Sequence, residues 1–339
     1  MDCLKVPKSE GENIRQKLLK KDLLFQEGKI KVEGDHIFIP LNKVKSSEID
    51  DLGYEIVEKD IEVRKKTERD YRELVDVPSD LENYVPTSYD VIGDIALIKI
   101  PTELQDFKRQ IGKAILKTHK NLETVLEDKG VHGELRTRSL EYIAGEDKTE
   151  TLYREHGAEF ELDVERVYFS PRLATERWRV VNKVKEDESV LDMFAGAGPY
   201  TVLIGKNVDV DHIYSIDLNP IAIRYLKKNI ERNSIRDLVT THQGDAGEIA
   251  PMLSVDRIIM NLPHSSKEFI EPALCALKKE GTIHYYEIVE DSEKKESIEE
   301  LLKRIEKEDN FAEILEERVV RTYSASKVHM AYDIFVRKK

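Results

Sequence analysis

The chain has 339 residues, 36% of them charged, and a net charge of −13 at pH 7. That length holds two or three domains with cores of their own, so no disulfide or metal staple is needed. Two distant cysteines, Cys3 and Cys275, exclude a disulfide framework and a cysteine zinc site and point to the cytoplasm, and no apolar run suits a membrane span or signal peptide.

Residues 1–61 read as a small α+β module. A basic helix is expected near Glu12–Lys21, followed by strands near Ile30–Val32, His36–Pro40 and Tyr54–Val57. The charged stretch 62–73 reads as a linker. Residues 74–175 form a second α+β segment. Val91–Ile100 predicts one strand, and Thr102–Lys117 predicts a helix with an apolar face. Further strands are expected at Thr124–Leu126, Thr151–Glu155, Ala158–Asp163 and Val167–Phe169. Ser170-Pro171 then predicts a helix start, with serine as cap and proline at the first position.

Residues 176–339 alternate strand and helix. Strands are expected near Ser189–Met193, Ile213–Asp217, Val239–Gln243, Arg257–Met260 and Thr282–Ile288. Helices are expected near Thr201–Lys206, Pro220–Asn233, Lys267–Lys278 and Glu293–Glu308. The runs Ala312–Thr322 and His329–Arg337 read as a closing antiparallel pair. The fold class is therefore α/β: a Rossmann-like, doubly wound, mostly parallel sheet preceded by two smaller α+β domains.

The most informative stretch is Ser189–Asp217. An apolar strand ends at Asp192, passes Phe194 and turns through Gly196 and Gly198 into a helix. A second strand ends at Asp217, 19 residues after Gly198, followed by Leu218. Bare backbone at the glycines lets a ligand approach, and a carboxylate at Asp217 suits two ribose hydroxyls. The pattern ends at Thr201 instead of the third glycine that a dinucleotide site uses beneath its pyrophosphate. Asp192 would repel a phosphate but attract an ammonium or sulfonium. Both points favour S-adenosylmethionine over NAD, against the plainer possibility of another Rossmann-like fold.

Other candidates lie at strand ends, where open α/β sheets bind ligands. Gly244-Asp245-Ala246 places a carboxylate that reaches an adenine amino group or only caps a helix. Asn261-Leu262-Pro263-His264 puts an amide and nearby carbonyls beside the methyl donor, or is a proline-terminated strand. Arg172 and Glu176 share a helical face, which fits an i,i+4 ion pair or a general base at Glu176 with Tyr168 as a platform for a base. Arg136 has no local signal and reads alone as a surface arginine. The acidic average argues against nucleic acid, but local clusters at Arg15–Lys21, Arg64–Arg72, Lys108–Lys120 and the last 22 residues could hold phosphates.

With Tyr168 to Glu176, the Asp-x-Phe-x-Gly-x-Gly turn, Asn261-Leu-Pro-His264, Gly133-Glu-Leu-Arg136 and Val91-Ile-Gly-Asp-Ile-Ala96, the chain resembles the archaeal and eukaryotic tRNA (guanine-N1)-methyltransferases. These class I enzymes modify guanosine 37 beside the anticodon. The resemblance covers essentially the whole chain. It implies an N-terminal domain (1–61) for the tRNA outer corner, a middle domain (74–175) contributing to the target-base site, and a catalytic domain (176–339). It implies Glu176 as general base and Arg136 acting on the guanine carbonyl. Tyr168, Arg172, Asn261 and Pro263 would hold the target. Arg177, Phe194, Asp217 and Asp245 would line the cofactor, with Asp192, Gly196, Gly198, Leu218, Ala246 and Asn261 around it.

The residue types suit the chemistry. Guanine N1 carries a proton that must leave, and a carboxylate can take it. Negative charge then grows on O6, where an arginine stabilises the transition state. No ligand pair is recognisable among the nine histidines, so the expected enzyme is metal-independent. The expected partner is tRNA, with no obligate protein partner and a monomer as the default. Rival readings are a wyosine-pathway enzyme on the same fold, methylating a tricyclic precursor or transferring an aminocarboxypropyl group, a catalytically idle RNA-binding scaffold, and a small-molecule methyltransferase.

Overall fold

The computed structural model describes residues 1–21, 23–25, 28–42, 53–61, 70–133 and 135–339. The chain divides into two compact units, Met1–Val75 and Asp76–Lys339. No helix among the described residues is long and apolar enough to cross a membrane.

In the first unit, strands β1 (Asp2–Pro7), β2 (Lys31–Glu33), β3 (His36–Pro40) and β4 (Glu55–Glu58) form an antiparallel sheet in the order β2-β3-β1-β4. Helix α1 (Gly11–Lys20) packs Ile14 and Leu18 onto Leu4 and Val6. Strand β1 was not expected. Its Leu4 and Val6 join one buried cluster while Cys3 joins another with Phe38 and Ile61. A central strand buried on both faces lacks the polar alternation that marks a half-exposed one. Of the expected linker, residues 62–69 lie outside the described residues, and Tyr71–Leu74 is a short 3₁₀ turn capped by Asp70.

The second unit opens with a hairpin, β5 (Asp90–Ile92) and β6 (Ile95–Ile98), where one long strand was expected. The chain folds back at Gly93, whose φ of +60° suits glycine in a two-residue loop. A 3₁₀ segment at Thr102–Phe107 precedes helix α2 (Lys108–Thr118) within the expected helix. Strands β7 (Thr124–His132) and β8 (Thr137–Gly145) complete a sheet of order β5-β6-β7-β8. Strand β8 was missed. Strands β9 (Glu150–Glu155) and β10 (Ala158–Asp163) form a separate hairpin. Val167–Phe169 is not a strand. It is held by packing, with the Phe169 ring edge-on to Tyr153 at 5.0 Å and tilted against Phe160 at 6.2 Å. Pro171 does open the next helical segment, but Ser170 makes no side-chain cap.

Helix α3 (Ala174–Val181) leads into a seven-stranded sheet. Its strands are β11 (Ser189–Asp192), β12 (His212–Asp217), β13 (Val239–Gln243), β14 (Val255–Met260), β15 (Leu277–Glu290), β16 (Phe311–Thr322) and β17 (Lys327–Arg337). The order is β13-β12-β11-β14-β15-β17-β16, parallel through β15 and then antiparallel. Helices α3, α4 (Pro199–Asn207) and α5 (Pro220–Arg232) share a core cluster with one face. Helices α6 (Ala246–Ile249), α7 (Ile270–Ala276) and α8 (Lys294–Ile305) share the cluster of the other. Ile92, Ile95, Leu97, Leu126 and Phe160 belong to the first of these clusters, so the core runs continuously across residue 175.

Hairpin β9–β10 is stitched to α5 by asparagine side chains. Asn229 Oδ1 accepts from the Glu161 N–H at 2.7 Å, and its Nδ2 donates to the carbonyls of Glu161 (3.1 Å) and Ala197 (3.0 Å). Asn229→Ala leaves these buried backbone groups unpaired and is expected to cost about 2–3 kcal/mol, read from urea unfolding midpoints.

Candidate active site

The turn after β11 is built for close approach. Gly196 and Gly198 have φ of +57° and +86°, and Gly198 precedes α4 with Pro199 at its first position. A Cβ at Gly198 would collide with the Leu226 side chain, whereas one at Gly196 would meet only the Tyr168 carbonyl, at 3.6 Å. Gly196 therefore leaves an open cradle bordered by Tyr168. Phe194 stands beside it, edge-on to Phe269 at 5.0 Å.

Asp217 ends β12 and accepts two backbone N–H groups, from Gly196 (2.7 Å) and Asn219 (2.8 Å). These bonds orient a carboxylate whose pKa burial raises. The adjacent Leu218 is 42% exposed, an apolar side chain left in solvent at the strand end. Asp192 is 1% exposed. Its Oδ2 accepts from the Thr201 hydroxyl at 2.9 Å, while Oδ1 is buried with no partner among the described residues. Burial, reinforced by the charge of Asp217, pushes its pKa up to about 7 against the opposing Thr201 bond. An orphaned carboxyl oxygen, an open glycine cradle and an oriented second carboxylate fit a cationic, ribose-bearing cofactor, whose charge favours the ionised form of Asp192.

Asp245 caps helix α6 through the Gly247 N–H (2.7 Å) and is exposed, with Ala246 buried behind it. The Asn261–His264 turn is pinned by the Ile288 N–H on the Pro263 carbonyl (2.9 Å) and by Ser266 on the carbonyls of Met260 and Leu262 (both 2.9 Å). The Asn261 amide has no hydrogen-bond partner among the described residues and is free to meet a ligand. His264 lies edge-on to Tyr323 at 5.7 Å, and burial with the nearby Arg136 charge lowers its pKa.

Arg136 lies between β7 and β8 with φ of +54°, an uncommon conformation for a residue with a side chain. Its guanidinium sits 4.6 Å from the centre of the Tyr168 ring, with Arg138 at 5.6 Å from the same ring. Of the sequence motif around Arg136, Glu134 lies outside the described residues.

Glu176 on α3 is 2% exposed. Its Oε1 accepts from Tyr286 (2.8 Å) and Arg179 (2.7 Å), its Oε2 from Arg179 (3.1 Å), and Arg318 stands 3.5 Å away. Tyr286 in turn accepts from Tyr200 at 3.2 Å, and burial keeps both phenols protonated. The i,i+4 pair of Glu176 with Arg172 does not form; Arg172 pairs with Asp90 at 2.6 Å. Arg177, expected beside the cofactor, commits its guanidinium to Glu155 (2.7 and 2.5 Å) and the Ser170 carbonyl (3.1 Å). Tyr286, Tyr200 and Arg318 were missed because they come from distant elements; only Arg179, three residues after Glu176, carried a local spacing signal.

Similarity to known proteins places the chain in a family. Residues 151–315 match the TRM5/TYW2 methyltransferase domain, 71–149 the TYW2 N-terminal domain and 3–49 the tRNA methyltransferase 5 N-terminal domain. The chain is 41% identical to the tRNA (guanine(37)-N(1))-methyltransferase Trm5b of Pyrococcus abyssi, over 98% of each chain. It belongs to the TRM5/TYW2 methyltransferase family. The crystal structure of Trm5b from Pyrococcus abyssi aligns with a TM-score of 0.80 at 40% identity over 99% of both chains. The complex of aTrm5 and tRNALeu aligns at 0.71 and 33% identity, over 98% of this chain and 99% of that one. The class I fold expected from the sequence is the family's fold.

The buried Asp192 has a pH signature. The native state holds a proton there that the unfolded state releases near the ordinary aspartate value of 3.8, so native stability falls as pH rises from about 4 to about 7. Asp192→Asn removes this slope. Unfolding free energies measured across that range are expected to move in favour of the variant as pH rises, and to run parallel to the wild type above it.

Proposed function

We propose that this chain transfers a methyl group from S-adenosylmethionine to N1 of guanosine 37 in tRNA. The observation that carries this reading is a juxtaposition. The arginine–tyrosine stack of Arg136 on Tyr168 borders the glycine cradle whose two aspartates suit a sulfonium cofactor, and the buried carboxylates Glu176 and Asp192 both act on the Tyr200 phenol of the helix that follows that cradle. The near-full-length likeness to a guanosine-37 methyltransferase supports it.

When bound, S-adenosylmethionine supplies an electrophilic methyl group. Asp217 orients toward the ribose hydroxyls, its geometry set by two backbone N–H groups. Asp192 faces the positive charge. Tyr168 offers its ring to a base drawn out of the anticodon loop. The free amide of Asn261 and the pinned Pro263 carbonyl region orient the guanine edge. Glu176 takes the N1 proton, and Arg136 meets the charge that grows on O6. Arg172 lies toward the target and would exchange Asp90 for a phosphate. Phe194, Leu218, Asp245 and Ala246 line the adenosine side, while Arg177 acts through its hold on α3.

Within this reading, residues 1–61 take the tRNA outer corner, 74–175 complete the target-base site and 176–339 hold the cofactor. In the basic clusters, Arg15 is engaged by Glu12 (2.8 Å) and Lys108 by Glu141 (2.6 Å). In the tail hairpin, Lys327 is likewise paired with Glu290 (3.6 Å), whereas Arg321, over Tyr323 at 5.9 Å, is better placed for a phosphate.

The test is methyl transfer from labelled S-adenosylmethionine to unmodified tRNA transcripts, with nucleoside mass spectrometry. N1-methylguanosine that vanishes when position 37 is adenosine is the expected result. An aminocarboxypropyl product, or label only on a tricyclic precursor, would replace this reading with a wyosine-pathway one. Glu176→Gln is expected to slow transfer by roughly two to four orders of magnitude with cofactor affinity retained. Asp217→Ala should instead weaken cofactor binding in calorimetry by about tenfold or more, the loss of a charge-assisted hydrogen bond.

A further inference from the structure

The surroundings of Glu176 contain a problem. A carboxylate that must accept a proton sits against the guanidinium of Arg179, and a fully committed positive charge makes its partner a weak base. The structure divides that charge. Arg179 grips Glu176 with Nε and Nη2, and it also donates to Asp333 on β17 from Nη1 (2.5 Å) and Nη2 (3.0 Å). Asp333 is 1% exposed. Burial alone would favour its neutral form, yet hydrogen bonds from His284 and Arg179 hold its pKa well below the usual carboxylate range.

Behind Asp333 the chain of partners continues. His284 Nδ1 lies 2.6 Å from Asp333 Oδ1, and its Nε2 lies 2.8 Å from Arg257 Nη1. A guanidinium has no lone pair to offer, so Nε2 is the acceptor and the ring proton sits on Nδ1, pointing at Asp333. His284 is neutral, its pKa lowered by burial. Arg257 closes the series on Glu188 at 2.7 and 3.0 Å. This network runs from α3 through β17, β15 and β14 and holds Asp333 ionised and immobile. The other groups facing Glu176 are Tyr286 from β15, Arg318 from β16 and Tyr200 from α4. Lys183 faces Asp333 at 2.9 Å, and Glu316 faces Arg179 at 3.6 Å.

We propose that Arg179, anchored by Asp333 and His284, is a positioning residue that fixes the orientation of Glu176 and sets its strength as a base. The proposal rests on the assignment of Glu176 as general base. It makes Asp333 a counter-anion that shares the Arg179 guanidinium with Glu176.

Two substitutions then act in opposite senses. Asp333→Asn keeps an oxygen for His284 and Arg179 but leaves Arg179 to Glu176 alone, which weakens the base. Arg179→Gln leaves Glu176 near a second buried carboxylate, which favours its protonated form. Single-turnover methyl transfer to tRNA, with both substrates saturating, is measured from pH 5 to 9. In Asp333→Asn the acidic limb is expected about one unit lower and the plateau about tenfold lower. In Arg179→Gln the limb is expected about one unit higher. Arg179→Lys keeps the charge and should return the limb to its wild-type position with a reduced plateau. Cofactor affinity, measured separately, should stay within about twofold of wild type in each variant, as for a group outside the cofactor site.

Limbs that do not move, or that move in the same direction in Asp333→Asn and Arg179→Gln, would overturn the proposal and leave Arg179 a structural residue. If Arg179→Gln fails to fold, the near-isosteric Asp333→Asn decides alone by the direction of its shift. Glu176→Gln is run alongside: wild-type rates in that variant would remove the base assignment itself, whereas a slow Glu176→Gln with unmoved limbs in the others would remove only the role of Arg179.

Discussion

A buried ion pair, the fork of Arg177 on both oxygens of Glu155, is the constraint on which the active site depends. It ties α3 to the β9–β10 hairpin, with the two side chains almost fully removed from solvent. Separating such a pair by removing one partner costs about 3–5 kcal/mol, since the survivor is left charged and buried. One residue before Arg177 in the chain stands Glu176, and two residues after it Arg179, which is fastened to Asp333 on β17. Helix α3 is thus clamped from two directions, and the candidate base between the clamps has little freedom left to lose when substrate arrives. Preorganisation of this kind is what proton transfer to a positioned carboxylate requires.

The strand ends at Asp192 and Asp217 handle charge differently. Asp192 keeps one oxygen buried and unpartnered, a defect that ordinary cores avoid because it costs about 1–3 kcal/mol. Asp217 is raised by burial as well, and each carboxylate is oriented by donors of the chain itself. Two acids at the ends of adjacent strands repel each other when ionised, and that repulsion adds to burial in raising the pKa of Asp192. Local rules of stability are broken at this pair of strand ends, the kind of departure that a fold tolerates where a site is built.

Much of the fold was legible because a doubly wound sheet writes its period into the chain. The strand ending at Asp192, the glycine turn, the strand ending at Asp217 and the antiparallel tail stand where the alternation put them. The departures have physical causes. Strand β1 is buried on both faces, so Cys3, Leu4 and Val6 show no alternation. The run Val91–Ile100 reads as one strand because a single Gly-Asp is a weak break in an apolar segment, yet the positive φ of Gly93 reverses the chain there. Val167–Phe169 has the composition of a strand but is held by aromatic packing with no ladder partner.

The site divides along the same line. Residues that stand at a strand end or a helix turn, such as Asp192, Gly196, Gly198, Asp217, Asn261 and Glu176, could be picked out as candidates from the chain alone, because spacing and residue type mark those positions. Arg136 could be singled out only by resemblance; its stack on Tyr168 comes from a loop 32 residues earlier meeting the packed segment that precedes α3. The partners that govern Glu176 could not be found from the chain at all. Tyr286 and Asp333 lie 110 and 157 residues beyond it and Arg318 lies 142 beyond, and no local pattern links them. Hydrogen bonds and ion pairs act over a few ångströms of space, and only the packing of β15, β16 and β17 against α3 brings those charges within that reach.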